Sequence, residues 1–348
     1  MMLMPPQTAS NAQQTAPEAQ QAAPETQQAA PEPQQAPPEA SSPPFDQWLQ
    51  QLIAEARTRG FSDELIDGTL AGLTPISRVV ERDSSQAEFT ITLDRYFRTR
   101  VTPRIIRQGR QHAMEDRALL GRIRTNYGVP PGILLAIWGI ESHYGQFTGA
   151  YPVFQALATL AWEPRRADFF RGELFNALSI VQGGYIDART MTGSWAGAMG
   201  QPQFMPSSYL QHAVDFDNDG LRDIWHSKPD TLASIASYLK NYGWASGQSW
   251  GREVTVSAPA RRRVEDIPMR DTGCSAKRLM TERRPLAIWR EAGVRLKSGG
   301  ALPAGDIPAS LIDIDNRSFL VYPNYEAILD YNCAHLYALS VGMLADRL

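Results

Sequence analysis

The segment Gly128–Gly145, which reads GVPPGILLAIWGIESHYG, limits most severely what this chain can fold into. Pro130 and Pro131 mark a helix start, because a fixed φ and a missing N–H are tolerated in the first turn. From Ile133 to Ile140 the segment is almost wholly apolar, Trp138 included. The helix must therefore be buried on nearly every side, with other elements around it. It ends in Glu141, and Gly145 supplies a C-terminal stop. Burial and the negative end of the helix dipole both disfavour a charged carboxylate there, so its pKa is expected to rise. A carboxylic acid that keeps its proton near neutral pH is what acid-catalysed cleavage of a glycosidic bond requires. A competing reading places Glu141 at a frayed helix end facing water, and the helix alone does not choose between them.

Around this helix the chain divides by composition. Residues 1–44 repeat the unit QQAAPE, at Gln20–Glu25 and Gln27–Glu32, with four Glu and no Lys or Arg. Such a segment cannot bury enough surface to offset its ordering entropy and reads as a disordered, Pro-stiffened tether. From Phe45, apolar residues recur at helical spacing (Trp48, Leu49, Leu52, Ile53, Ala56) up to Gly60, and Ser62 is a fair N-cap for a helix over Asp63–Leu70. A longer helical stretch is expected from Ser84 to Tyr127, broken near Thr102-Pro103. Its Arg98, Arg100, Arg104, Arg107 and Arg110 read as a solvated face, the alternative being contact with an anionic substrate group. Further helices are expected over Ala167–Gln182, from near Pro202, and over Thr231–Tyr242. Beyond Trp250, the alternating runs Glu253–Ser257, Ser310–Ile314 and Ser318–Tyr322 predict a small sheet. Asn324–Leu348 returns to helix.

Composition excludes several function classes. A formal net charge of -3 over 348 residues gives no sign of a nucleic-acid partner. No run of about 18 apolar residues exists to form a membrane span. The start, MMLMPP, shows neither a basic n-region nor an apolar h-region of a signal peptide. Cys274 and Cys333 are the only cysteines; they fit either one disulfide in an oxidising compartment or two buried thiols. No His/Asp/Glu spacing suggests catalytic zinc, and His143 is expected to pack or hydrogen-bond locally.

Two further stretches carry chemistry. Ser194–Tyr209 (SWAGAMGQPQFMPSSY) combines small residues, which let a backbone approach a ligand closely, with Ser194 and Gln203 as neutral partners for sugar hydroxyls and acetamides. The plainer reading is a loop feeding a helix with Pro206 in its first turn. Asp215–Asp223 (DFDNDGLRD) fits the first half of an EF-hand loop, with Asp215, Asp217 and Asp219 at positions 1, 3 and 5 and Gly220 at 6. Position 12 is His226 instead of Glu, and Asp230 is the next carboxylate in reach, although N-capping of the following helix also explains it. A structural calcium site with the Leu221 backbone carbonyl as a further ligand is favoured. Glycoside hydrolysis usually needs two carboxylates. Glu163, Asp168 and Glu173 sit in polar sequence surroundings, so the lone enclosed Glu141 points to a substrate that supplies its own nucleophile.

GIESHYG at 139–145, ALATL at 156–160 with Pro164-Arg165-Arg166, and GAMG at 197–200 with QFMPSSY at 203–209 together resemble the lytic transglycosylase B family of bacterial cell-wall enzymes. The resemblance covers roughly Phe45 to the C-terminus. It implies a mainly α (α+β) fold with a goose-lysozyme-like catalytic core, a helical N-terminal lobe and a small β insertion. The implied divisions are 1–44 tether, 45–110 helical lobe, 111–250 catalytic core with calcium loop, 251–322 β insertion and 323–348 closing helix. It implies that Glu141 is the single acid/base catalyst and that Ser194, Gln203, Phe204, Tyr96, Tyr238, Tyr331, Asn332 and Tyr337 line the site. Arg165 and Arg166 would meet stem-peptide carboxylates. A variant calcium loop closed by Asp230 is implied, and no organic cofactor. The sequence departs from the family pattern at Gln201-Pro202, where a glycine-containing pair is usual, and at Phe169, where a tyrosine is.

The function expected is non-hydrolytic cleavage of peptidoglycan between MurNAc and GlcNAc to leave 1,6-anhydro-MurNAc ends. The alternatives are a hydrolytic muramidase and a non-catalytic glycan-binding envelope scaffold. Expected partners are glycan strands, their stem peptides and wall-synthesis enzymes, met by a monomer in the periplasm. Outer-membrane attachment would need a lipidated N-terminus that this sequence does not display.

Overall fold

The computed structural model describes residues 43–85 and 91–348. The expected tether lies outside them except for Pro43 and Pro44, as do residues 86–90 of the helical stretch expected from Ser84. The chain begins with α1 (Phe45–Thr58), α2 (Asp63–Thr69), α3 (Ser77–Ser85), α4 (Leu93–Arg100), α5 (Pro103–Glu115), α6 (Arg117–Tyr127) and α7 (Pro131–Ser142). Side-chain caps set three of the starts: Ser62, Thr92 and Thr102 hydroxyls accept from Leu65 N, Arg95 N and Ile105 N. The stretch up to Tyr127 is broken in two further places, at Ile91-Thr92 before α4 and at Asp116. That carboxylate is drawn instead to Lys228 Nζ at 2.9 Å and His112 Nδ1 at 3.1 Å.

Two short strands, β1 (Tyr151–Pro152) and β2 (Thr192–Gly193), pair antiparallel around the packed helices α8 (Val153–Trp162) and α9 (Ala167–Gln182). Then come α10 (Pro206–His212) and α11 (Lys228–Asn241). The helix expected near Pro202 starts at Pro206 instead, because Pro202 lies in a turn whose carbonyl accepts the Tyr331 hydroxyl. The helix expected from Thr231 starts at Lys228, capped by the Ser227 hydroxyl on Asp230 N at 3.2 Å. Asp230 is therefore not the N-cap.

The next segment holds β3 (Gly251–Thr255), α12 (Ala258–Val264), α13 (Ser275–Arg278), β4 (Arg284–Pro285), α14 (Leu286–Glu291), β5 (Arg295–Leu296), β6 (Pro308–Ile314) and β7 (Arg317–Val321). The sheet is antiparallel in the order β4-β6-β7-β3-β5. Period-two alternation divides its faces. The facing pair Leu311 and Leu320 joins Val254, Leu286 and Trp289 in a local core, whereas the next pair, Ile312 and Phe319, joins the helical core. The insertion is thus fixed to the body by one face of its own sheet. Two helices end the chain, α15 (Pro323–Tyr331) and α16 (His335–Ala345).

Every residue of α7 from Ile133 to Ser142 is buried, and α5, α6, α11 and α16 pack against it. Residues 45–110 contribute to that same core. Among the described residues no helix is long and apolar enough to cross a membrane. Cys274 and Cys333 are joined in a disulfide, which ties the insertion to the link between α15 and α16.

His335 opens α16, with its Nδ1 2.9 Å from the Tyr325 hydroxyl, and burial pushes its pKa down to about 4. The native state therefore binds fewer protons than the unfolded chain below the ordinary value of 6.5. Stability should fall as pH drops through this window, by up to about 3 kcal/mol from this group. Melting temperatures of wild type and His335→Gln at pH values spanning the window check it: the variant's curve should be flatter.

Candidate active site

Glu141 lies on the last turn of α7, 7% exposed. The helix stops because His143 and Tyr144 take left-handed conformations, with φ of 50° and 60°. The sequence-expected stop at Gly145 follows directly, with its N–H held by the Ser142 hydroxyl at 3.0 Å. Tyr337, fully buried on α16, donates its phenol hydrogen to Glu141 Oε1 at 2.6 Å. Burial, then the charge of Glu141, raises the pKa of both Tyr331 and Tyr337. Tyr96 on α4 is pushed up to about 12 by burial, with Arg100 opposing and Glu141 adding. Tyr337 thus bonds the carboxylate directly, Tyr331 and Tyr96 stand within its electrostatic reach, and all three phenols stay protonated.

The Ser194–Phe204 loop forms the adjoining wall. The Ser194 hydroxyl accepts from Ala196 N and Ala198 N at 3.3 and 3.1 Å, which closes the tight turn. Gln203, at φ 53°, spends its amide hydrogens on the carbonyls of Thr148 and Gly200 at 3.1 and 2.8 Å. The loop following α7 is thereby tied to the loop preceding α10. Phe204 is fully buried beneath the site, with its ring 5.6 Å from Tyr238 and 5.9 Å from Tyr331. The Tyr238 hydroxyl donates to the Asp330 carbonyl at 2.6 Å, and that of Tyr331 to the Pro202 carbonyl at 2.5 Å. Asn332, buried, caps α15 beside Cys333. His143 packs edge-on against Phe147 at 5.2 Å, a local role as expected.

The paired arginines sit on the single turn Pro164–Arg166. Asp83 holds both: Arg165 Nε and Nη2 reach its carboxylate at 3.1 Å each, and Arg166 Nη2 bonds the same group. The acidic loop gathers carboxylate oxygens of Asp215, Asp217 and Asp230 within 4.8 Å of one another. Asp219 stands outside that convergence and accepts from Leu221 N at 2.8 Å. Asp230 is wholly buried and accepts from the backbone N–H groups of Phe216 and Asp223.

Three contributors escaped the sequence reading. Glu173, taken to lie in polar surroundings, is buried on α9 and bonds Ser207 N and Oγ at 2.8 and 2.6 Å, holding the start of α10. Burial raises its pKa. The buried face Phe170, Leu174 and Ala177 at helical spacing carries that signal. Gln201 accepts from Trp138 Nε1 and donates to the Trp225 carbonyl, both at 2.9 Å, so it joins α7 to the acidic loop. Asp83 gave no sequence signal, since its partners lie 82 and 83 residues away.

Over residues 44–346 the sequence matches the family described as Transglycosylase SLT domain. The chain belongs to that family. Among the relatives of this transglycosylase-family chain, the membrane-bound lytic murein transglycosylase B of Escherichia coli (strain K12) is 33% identical over 261 residues, covering 72% of this chain and 66% of that protein. The chain thus matches just under two thirds of that relative's length. SltB3 from Pseudomonas aeruginosa, in complex with NAG-anhNAM-pentapeptide, superposes with a TM-score of 0.78 at 41% identity, covering 87% of this chain and 78% of that one. Escherichia coli Slt35, in complex with calcium, gives a TM-score of 0.72 at 29% identity, covering 87% and 92%. The family chain therefore has the mainly helical, lysozyme-like fold expected from its sequence.

Proposed function

We propose that this chain is a lytic transglycosylase that cleaves the β-1,4 bond between MurNAc and GlcNAc in peptidoglycan and leaves 1,6-anhydro-MurNAc ends. One observation carries this reading. Among the described residues the buried carboxylates are Asp83, Glu141, Glu173 and Asp230. Asp83 belongs to two arginines, Glu173 to Ser207, and Asp230 to the acidic loop. Glu141 alone faces the phenols, with no second enclosed carboxylate to activate water or act as nucleophile. Protonated Glu141 donates to the glycosidic oxygen, which breaks from MurNAc C1 and departs with GlcNAc, and the MurNAc acetamide stabilises the positive charge that develops at C1. The Glu141 carboxylate then removes the C6 hydroxyl proton, and that oxygen closes the anhydro ring. The phenol of Tyr337 orients the carboxyl group through both steps. SltB3 holds a fragment with an anhNAM end, which supports the product assignment. The borohydride test separates this from hydrolysis: hydrolytic ends are reduced, anhydro ends are not. Reducible ends formed in step with cleavage would refute it.

The residues of the acidic loop fit a calcium ion. Three carboxylates converge, and one of them is buried against backbone N–H groups only, with its pKa raised by that burial. Asp215, Asp217 and Asp230 would hold the ion, which neutralises their mutual repulsion and fixes the loop. Calcium at about 100 times its Kd should stabilise the fold by about 2.7 kcal/mol. A chelator should lower the melting temperature and calcium restore it; a melt indifferent to both contradicts the site. Arg165 meets a stem-peptide carboxylate by giving up part of its Asp83 contact, a reading supported by its side chain being 31% exposed. The disulfide suits the oxidising periplasm, where this substrate lies.

A further inference from the structure

Arg100 closes α4 and is 8% exposed. Other guanidiniums enclosed to a similar degree have acids: Arg166 has Asp83 and Arg270 has Glu326. Arg100 has none among the described residues; its side chain lies over the Tyr96 ring, 5.5 Å from the centroid. The face of a phenol returns only part of what desolvating a cation costs. Its surroundings are those of the active site. Tyr96 stands within electrostatic reach of both Arg100 and Glu141. His143, the C-cap of the catalytic helix, feels both Arg100 and Arg104. Arg104 is on the rim, where its Nη2 donates to Gln146 Oε1 at 3.2 Å.

We infer that Arg100 binds a carboxylate of the substrate beside the scissile bond. A guanidinium offers a planar pair of donors that matches a carboxylate in two parallel hydrogen bonds. Peptidoglycan presents carboxylates in two places near the cleaved sugar: on the stem peptide, and on the lactyl group of a MurNAc that has lost its peptide. Because the two arginines at Pro164–Arg166 already share Asp83, Arg100 is the enclosed cation that this anion can reach without displacing an acid. The inference rests on the transglycosylase reading but fails separately, since a KM indifferent to Arg100 leaves turnover by Glu141 untouched.

Steady-state kinetics of wild type, Arg100→Met and Arg100→Lys test it on two probes: glycan strands bearing stem peptides, and strands stripped of peptide by an amidase. Arg100→Met should raise KM about tenfold on at least one probe and change kcat by less than about twofold, with Arg100→Lys recovering part of the loss. A penalty confined to peptide-bearing strands assigns the stem carboxylate, and one on stripped strands assigns the lactyl group. Methyl-esterified strands give a readout that needs no folded variant. They should raise KM for the wild type at least as much as Arg100→Met does, and should raise it further for that variant only by the share that Arg165 contributes, which an Arg100→Met/Arg165→Ala double variant removes. Unchanged KM on both probes overturns the inference. So does a lowered kcat with a displaced pH profile, which would mean that Arg100 acts on the charge of Glu141.

Discussion

Replacing Glu141 with glutamine should lower kcat on peptidoglycan by about a thousandfold or more while the protein stays folded. A positioned acid or base contributes about 10²- to 10⁴-fold, and here one carboxyl serves as both, so the loss falls toward the upper end. The amide keeps the volume of the buried side chain and an oxygen that can accept from the Tyr337 hydroxyl, so the site need not repack. Turnover of purified peptidoglycan beside a thermal melt checks this. An active variant, at more than a tenth of the wild-type rate, would remove Glu141 from the mechanism. Turnover lost together with the fold would say nothing about chemistry, and Tyr337→Phe, which removes the donor and leaves the carboxyl, would then take its place.

The second large effect is structural. Gly149 follows the catalytic loop at φ 94°, and a Cβ there would fall on the Gly193 carbonyl and lie 2.5 Å from Ser194 N. Both neighbours are backbone, and both belong to the strand and turn that present Ser194. Gly149→Ala must therefore strain φ and push β2 away from β1, at a cost of about 3 kcal/mol or more. The melting temperature should drop by roughly 5–10 °C, and activity should fall even below that temperature. Gly184→Ala is the matched control, with φ 74° and nothing within 4 Å of the added carbon. It should cost only about 1 kcal/mol, the strain alone. Equal losses from the two would contradict the close approach of the 149 and 193 backbones.

Local rules made much of this fold legible. The double proline and apolar run over α7 are read from neighbours in sequence, and so are the cap at Ser62 and the break at Thr102-Pro103. The alternation of β6 and β7 showed a sheet, but not that one face would join the helical core through Ile312 and Phe319. The candidate site was legible as far as a motif kept its residues together: Glu141, Ser194 and Gln203 were singled out within their stretches, and hydrogen bonds from Trp138 to Gln201 and from Gln203 to Thr148 bring those stretches together. What escaped depends on contacts between distant segments. Asp83 meeting Arg165 and Arg166 has no signature in its own surroundings. Gln201 looked like a departure in a flexible pair, yet its amide is fixed between Trp138 and Trp225. Arg100 read as one of a solvated run, because helical spacing did not reveal that it is buried at the end of α4 against the Tyr96 ring. The two cysteines were undecided in sequence for the same reason, since a disulfide depends on spatial approach.

The central claim is that a single carboxyl cleaves the strand without admitting water to the product. The most direct measurement is mass spectrometry of muropeptides released from purified peptidoglycan by this protein in water labelled with heavy oxygen. The account predicts products lighter by one water than those of a muramidase, carrying no label at the cleaved end. Heavy oxygen at the new MurNAc terminus would contradict it.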